Sequence, residues 1–289
     1  MKDTVLASTI TSLLLITVAP AASIATEQFI YPAGGIAGQN GGSGFASTWR
    51  GGGTVDAVGQ TYPGLATDGG GYVSDGNNGA NFRDFASTYG ADGTTIFVSL
   101  LISAQPGFST TNPDYAGFSF FDGGDARANE RFYLGQTFRQ GVYGFVRDGD
   151  SDNFSSGSVS TASSLLVLEI NFLAGPDNVS LYINPTTGLA APDGTPTTAS
   201  VTSFNFDRIR IQSGFNAAPF KFDEIRLGTT YADVSPVPVP EPTSMILLGI
   251  SGATLLTRRR GRAMISRTAG KRPRRIAKPL RETGAAFSR

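Results

Sequence analysis

Leu165-Leu166-Val167-Leu168-Glu169-Ile170-Asn171-Phe172 turns through Ala174-Gly175-Pro176-Asp177 into Asn178-Val179-Ser180-Leu181-Tyr182-Ile183-Asn184-Pro185. The first run is short, apolar and bounded by turn residues, which predicts a buried strand. Gly, Pro and Asp supply the reversal, each for its own backbone reason. The stretch predicts a β-hairpin, and the rest of the chain follows its pattern.

Working outward, Thr94 to Ile102 reads as a second buried strand, and Tyr115 to Phe121 stops at Asp122-Gly123-Gly124. Arg131 to Gly135 and Gly141 to Val146 follow, the latter ending at Asp148-Gly149. Phe204 to Ile211 and Phe220 to Leu227 alternate apolar and polar residues cleanly. The chain holds 37 Gly, 16 Pro, 20 Phe and 9 Tyr, a supply that suits short strands joined by tight turns. No long amphipathic helix is visible between Glu27 and Ala232. Many closely spaced strands predict an all-β sandwich or barrel.

The 289 residues include no Cys and no His. That excludes disulfides, zinc thiolates, thiol nucleophiles and any Ser-His-Asp or Cys-His mechanism. Catalysis would have to use carboxylates, Tyr, Lys or an oxygen-bound metal. The formal net charge of zero conceals an asymmetry. Twelve of the 23 basic residues, but only Glu282 among the acidic ones, lie from Arg258 onward. An acidic body is thus joined to a basic tail.

Both ends carry targeting features. Met1-Lys2-Asp3 precedes an apolar stretch from Val5 to Val18, then Pro20-Ala21-Ala22-Ser23-Ile24-Ala25. With small residues at Ser23 and Ala25, residues 1–25 read as a secretory signal peptide. A buried first helix or an N-terminal anchor is the alternative. Near the other end, residues 235–242 form a stiff proline segment ending in Pro240-Glu241-Pro242. An apolar stretch over 243–257 and Arg258-Arg259-Arg260 follow. The stretch is shorter than the ~20 residues of an ordinary spanning helix, but tilt and snorkelling arginines can extend it. The arginines would keep the C-terminal side in the cytoplasm and the body outside.

This end resembles the PEP-CTERM sorting signal of Gram-negative bacteria. The resemblance implies export to the cell envelope or surface, a single transmembrane anchor helix and recognition by an exosortase, a membrane-embedded cysteine protease. It also implies a partner among exopolysaccharides of the extracellular matrix. The chain departs from that pattern by continuing from Gly261 to Arg289. Residues 258–289 read as a disordered basic cytoplasmic tail, without the interleaved aromatics of a nucleic-acid partner.

Two stretches of the body are similar to laminin G-like, concanavalin-type jelly rolls. One is the hairpin from Leu165 to Pro185. The other is Phe222-Asp223-Glu224-Ile225-Arg226-Leu227-Gly228, a closing strand that leads to the linker. The resemblance implies one jelly-roll β-sandwich over residues 27–234. Related folds bind glycans or calcium, and some hydrolyse glycans. The paired glutamates of the hydrolytic branch have no counterpart, since Glu169 and Glu224 stand singly.

Three groups of residues carry possible chemistry. Asp148, Asp150 and Asp152 place carboxylates at alternate positions, the spacing by which oxygen ligands converge on calcium. Asn153 and Val159 stand where an EF-hand needs Gly and Glu, so the alternative is a solvated acidic turn. Trp49, Tyr62 and Tyr72 lie among glycine-rich loops, where exposed rings stack on sugars, and Asp75 is placed to bond hydroxyls. The alternative is that these rings belong to the core. Asp223 and Glu224, adjacent on a strand, are expected to point to opposite faces and form no dyad. The sequence therefore predicts an exported, envelope-anchored, non-catalytic polysaccharide-binding protein. Its rivals are a carboxylate-dependent glycan-active enzyme and a structural coat protein.

Overall fold

The computed structural model describes residues 23–238, except 69, 76–78, 109–114, 138–140, 148–152 and 215–219. The first compact unit ends at Pro238. The expected calcium loop at Asp148, Asp150 and Asp152, the PEP triplet, the arginine run and the apolar segment 243–257 lie outside the described residues. Among the described residues, no helix is long and apolar enough to cross a membrane.

Strands alternate with short connections along the chain. They are β1 (Ala25–Glu27), β2 (Gly34–Gly35), β3 (Thr54–Asp56), β4 (Tyr72–Asp75) and β5 (Ala80–Tyr89). Then come β6 (Thr95–Ala104), β7 (Tyr115–Phe121), β8 (Glu130–Gln136), β9 (Val142–Arg147) and β10 (Asn153–Ser158). The series closes with β11 (Ser164–Asn171), β12 (Asp177–Ile183), β13 (Thr197–Val201), β14 (Phe206–Gly214), β15 (Phe220–Gly228) and the helix α1 (Tyr231–Val234). One sheet has nine strands in the order β13-β12-β11-β6-β15-β4-β3-β2, with β1 also paired to β15. The other has six, in the order β10-β9-β8-β7-β14-β5. The fold is the all-β jelly-roll sandwich that the sequence predicts.

The two sheets contribute different side chains to the core. The six-stranded sheet supplies rings, among them Phe118, Phe120, Phe132, Phe145 and Phe206. The nine-stranded sheet answers with Val98, Leu100, Ile102, Leu166, Leu168 and Ile170. Each buried ring or branched chain contributes about 1.5–3 kcal/mol by leaving water. Strands β6 and β11 are buried on both faces. Their outward residues Leu101, Leu165 and Val167 meet Leu65, Tyr231 and Val234 in a second apolar cluster. Double-sided burial is why these strands read as continuous apolar runs rather than alternating ones.

The sandwich begins earlier than residue 27. Ala25 is in β1, paired with Leu227 and fully buried. Contacts also continue past 234: Gly188 N–H donates to Ser235 O and Ala66 N–H to Pro236 O.

Glu27 of β1 and Arg83 of β5 form an ion pair between the two sheets, with both side chains about fully buried. The Glu27 carboxylate also accepts from Trp49 Nε1 at 2.8 Å, Tyr31 OH at 2.7 Å and Phe29 N–H at 2.8 Å. Arg83 donates further to Ser47 O, Asn40 Oδ1 and Gly41 O, and its guanidinium lies 4.2 Å from the centre of the Phe45 ring. Replacing Glu27 by Ala strands a buried guanidinium, at an expected cost of ~3–5 kcal/mol. Urea unfolding should show a lower midpoint at unchanged slope. Glu27→Gln combined with Arg83→Met should cost less than the sum of the two single changes, because the groups are coupled.

Candidate ligand-binding face

Trp49, Tyr62, Tyr72 and Asp75 do not converge. Trp49 is 1% exposed and held by Glu27, so its ring is core rather than a loop platform. Tyr62 is half-buried on the opposite side of the nine-stranded sheet, packed on the second apolar cluster, with its OH 3.4 Å from Pro185 O. Tyr72 and Asp75 end β4, in register with Asp56 and Phe220. Among the described residues no group of three or more acidic side chains is placed to hold a metal ion.

Asp223 and Glu224 depart from the expected opposite-face arrangement. A register shift falls between Asp223 and Arg226, and Glu224 takes φ 52°, a left-handed conformation that non-glycine residues rarely adopt. Asp223 accepts from Gln60 N–H at 2.7 Å and Glu224 N–H at 2.8 Å. Glu224 pairs with Arg226 and accepts from Asp68 N–H at 3.0 Å. Gln60 Oε1 in turn accepts from Ser103 and Ser163. These groups pin the 60–68 segment onto the sheet, and their oxygens are occupied in doing so.

Burial pushes Asp223 up to about 8, against the lowering pull of the Gln60 N–H, and the Glu224 carboxylate adds to the rise. Its ordinary value is 3.8, so between about 4 and 8 the folded chain keeps a proton that the unfolded chain releases. The stability linked to Asp223 is complete below that window and declines as pH rises through it. Unfolding free energy measured from pH 4 to 8 should therefore show this decline, and Asp223→Asn should flatten it.

The outward face of the six-stranded sheet is different. Backbone register aligns Gly117, Gly135 and Gly144 side by side on β7, β8 and β9, beside Gln212 of β14. A Cβ at Gly117 would lie 2.3 Å from Leu134 O and 2.7 Å from the Tyr133 ring, so the ring rests on the glycine. A Cβ at Gly135, which has φ 142°, would lie 2.3 Å from Ala116 O. The next row holds Phe82, Arg210, Ser119 and Tyr133 across four strands. Arg210 donates to Glu130 at 2.6 Å and Ser119 Oγ at 3.1 Å, and lies 4.8 Å from the centre of the Phe121 ring. Burial lowers the Arg210 pKa, and Glu130 opposes that shift. Tyr133 is raised well above its usual range by burial, and its OH donates to Gln136 O.

Among the described residues, Arg210 Nε on this face and Thr137 Oγ1 are buried polar atoms without a hydrogen-bond partner. Thr137 lies one residue past the end of β8 at Gln136. Buried polar groups are nearly always partnered, so each unpartnered one calls for a cause, such as a bound water. Beyond Arg210 the face ends in a half-exposed charge network. Arg50 there grips Asp84 and Asp125, and Arg208 bonds Asp125 and Asp207. For Asp125, the hydrogen bonds from Arg50 and Arg208 outweigh the effect of burial and hold its carboxyl below the usual range.

The sandwich and its C-terminal extension together define an exported β protein held at the envelope. Residues 238–260 match the PEP-CTERM protein-sorting motif, taking in Pro240-Glu241-Pro242 and Arg258-Arg259-Arg260. That signal indicates export and membrane-associated processing at the cell envelope. Among solved structures the chain is similar to the T. cruzi calreticulin globular domain, at 10% identity and TM-score 0.43, covering 72% of this chain and 88% of that one. It is similar to the binding domain of botulinum neurotoxin serotype D, at 11% identity and TM-score 0.48, over 74% of this chain and half of that one. The Emp47p carbohydrate recognition domain is a third, at 10% identity and TM-score 0.41, over 72% and 96%. No curated protein matches the chain.

Proposed function

We propose that the protein is an envelope-anchored surface or extracellular-matrix component whose sandwich is a non-catalytic module for polysaccharide. The observation that carries the first part is the sorting motif, which begins at residue 238, where the compact sandwich ends. The non-catalytic reading is supported by how the buried carboxylates are used. Glu27, Glu130 and Glu224 each face an arginine, and Asp223 is held by backbone N–H groups. The polysaccharide reading is supported by the outward face of the six-stranded sheet. Arg210 Nε on that face, and Thr137 Oγ1 just past the end of β8, lack hydrogen-bond partners and are groups that sugar hydroxyls can bond.

Thr137→Val tests the site without dismantling the fold. Replacing an unpartnered buried hydroxyl by a methyl should leave the melting temperature unchanged or higher. Retardation of the exported body in gels containing the producing cell's exopolysaccharide should weaken by about tenfold, the worth of one hydrogen bond. Equal retardation of wild type and variant would exclude this face as the binding site. The anchor has a separate test. Neutral residues at Arg258, Arg259 and Arg260 remove the charge that holds the C-terminal side in the cytoplasm, and the protein should be mislocalised or released. Fractionation and processing like wild type would contradict the sorting role.

A further inference from the structure

We propose that signal peptidase cuts this chain between Ala21 and Ala22, upstream of the Ser23-Ile24-Ala25 position favoured by sequence pattern. The inference rests on the chain being exported. Three positions offer small residues at −3 and −1: Ser23 with Ala25, Ala21 with Ser23, and Ala19 with Ala21; a cut at the second would remove the Ser23 hydroxyl that bonds Asp233 O. The pattern does not separate them, but the fold does.

Ser23, Ile24 and Ala25 are working parts of the sandwich. Ile24 N–H donates to Leu227 O at 2.8 Å, extending the β1–β15 pairing by one residue. Ser23 Oγ donates to Asp233 O at 2.7 Å, which ties the entering chain to α1. The Ala25 methyl is fully buried in the main core. The neighbouring loop is shaped around these residues. Gly44 has φ 80°, and a Cβ there would lie 2.2 Å from Ile24 O and 2.6 Å from Ala25 Cβ. A cut after Ala25 would leave the carbonyl of the fully buried Leu227 without its donor and open a void at the Ala25 methyl. It would also place a charged amine on Thr26, whose N–H sits in the bond to Ser43 O.

A cut after Ala21 preserves every one of these contacts. It leaves Ala22 as the single residue ahead of the first one bonded into the fold. Pro20 favours this position as well. It disfavours the helical region for Ala19, the −3 residue of this position. Small residues at −3 and −1 are what a signal peptidase accepts.

The test is the first residue of the full chain recovered from the cell envelope of an exporting host, read by N-terminal sequencing and intact mass. Ala22 is expected. Ile24 or Thr26 would overturn the proposed position while leaving export intact, and an uncut Met1 would overturn both. Two variants act on the precursor, so their readout does not depend on the final fold. Ala21→Gln should make the precursor accumulate, while Ser23→Gln should mature with the wild-type first residue. The reverse pattern would overturn the proposal.

Discussion

The Glu27 carboxylate and the Arg83 guanidinium meet between the two sheets, and three N–H or O–H groups besides the ion pair depend on where that carboxylate sits. Phe29 N–H, Tyr31 OH and Trp49 Nε1 all donate to it, and Arg83 closes the set. Glu27 belongs to the nine-stranded sheet and Arg83 to the edge strand of the six-stranded one, so the pair fixes the sheets against each other. It also fixes the long connection between β1 and β5. Phe29 is held at φ 50°, and the segments bearing Asn40, Gly41 and Ser47 end on the guanidinium. Burying both charges is costly, and the arrangement persists because nearly every lone pair and proton is used.

The nine-stranded sheet is covered on both sides, by different chemistry. Inward, apolar chains meet the phenylalanines of the other sheet. Outward, an apolar patch around Leu101, Leu165 and Tyr231 lies beside the polar seam of Gln60, Asp223, Glu224 and Arg226. The seam uses a register shift to bring the adjacent Asp223 and Glu224 both onto the 60–68 segment, which a regular strand could not do. The helix α1 closes the outer layer through a capping box between Thr230 and Asp233, and Ser99 Oγ donates to Val234 O. The entering chain reaches the same place, since Ser23 bonds Asp233 O. The two ends of the sandwich therefore lie side by side.

What was legible in the sequence follows from burial. β6, β7, β11, β12 and β15 are runs or alternations of apolar residues, and each was expected close to its actual limits. β5 was not, because its inward residues include Asn81 and Arg83, which break the apolar alternation. Only the distant Glu27 makes an inward arginine tolerable, and no local pattern announces it. Trp49 was misplaced for the same reason: glycines around it suggest a loop, while its partner lies 22 positions away. The register shift at Glu224 and the capping box at Thr230 are decided by three-dimensional neighbours as well, although Thr-x-x-Asp at 230–233 was available as a signal.

The candidate face was hidden in a further way. Gly117, Gly135 and Gly144 look like turn or flexibility residues when met singly, and they form a row only once the register of β7, β8 and β9 is known. What separates that face from the Glu27–Arg83 site is the completeness of bonding. Both hold a buried arginine facing a glutamate and lying near an aromatic ring. At Arg83 the Nε and both terminal nitrogens find acceptors. At Arg210 the Nε does not, and Thr137 Oγ1 just past β8 is likewise left over. Arg226 Nη1, in the seam that pins the 60–68 segment, is unpartnered as well, so unmet donors occur in structural networks of this fold too.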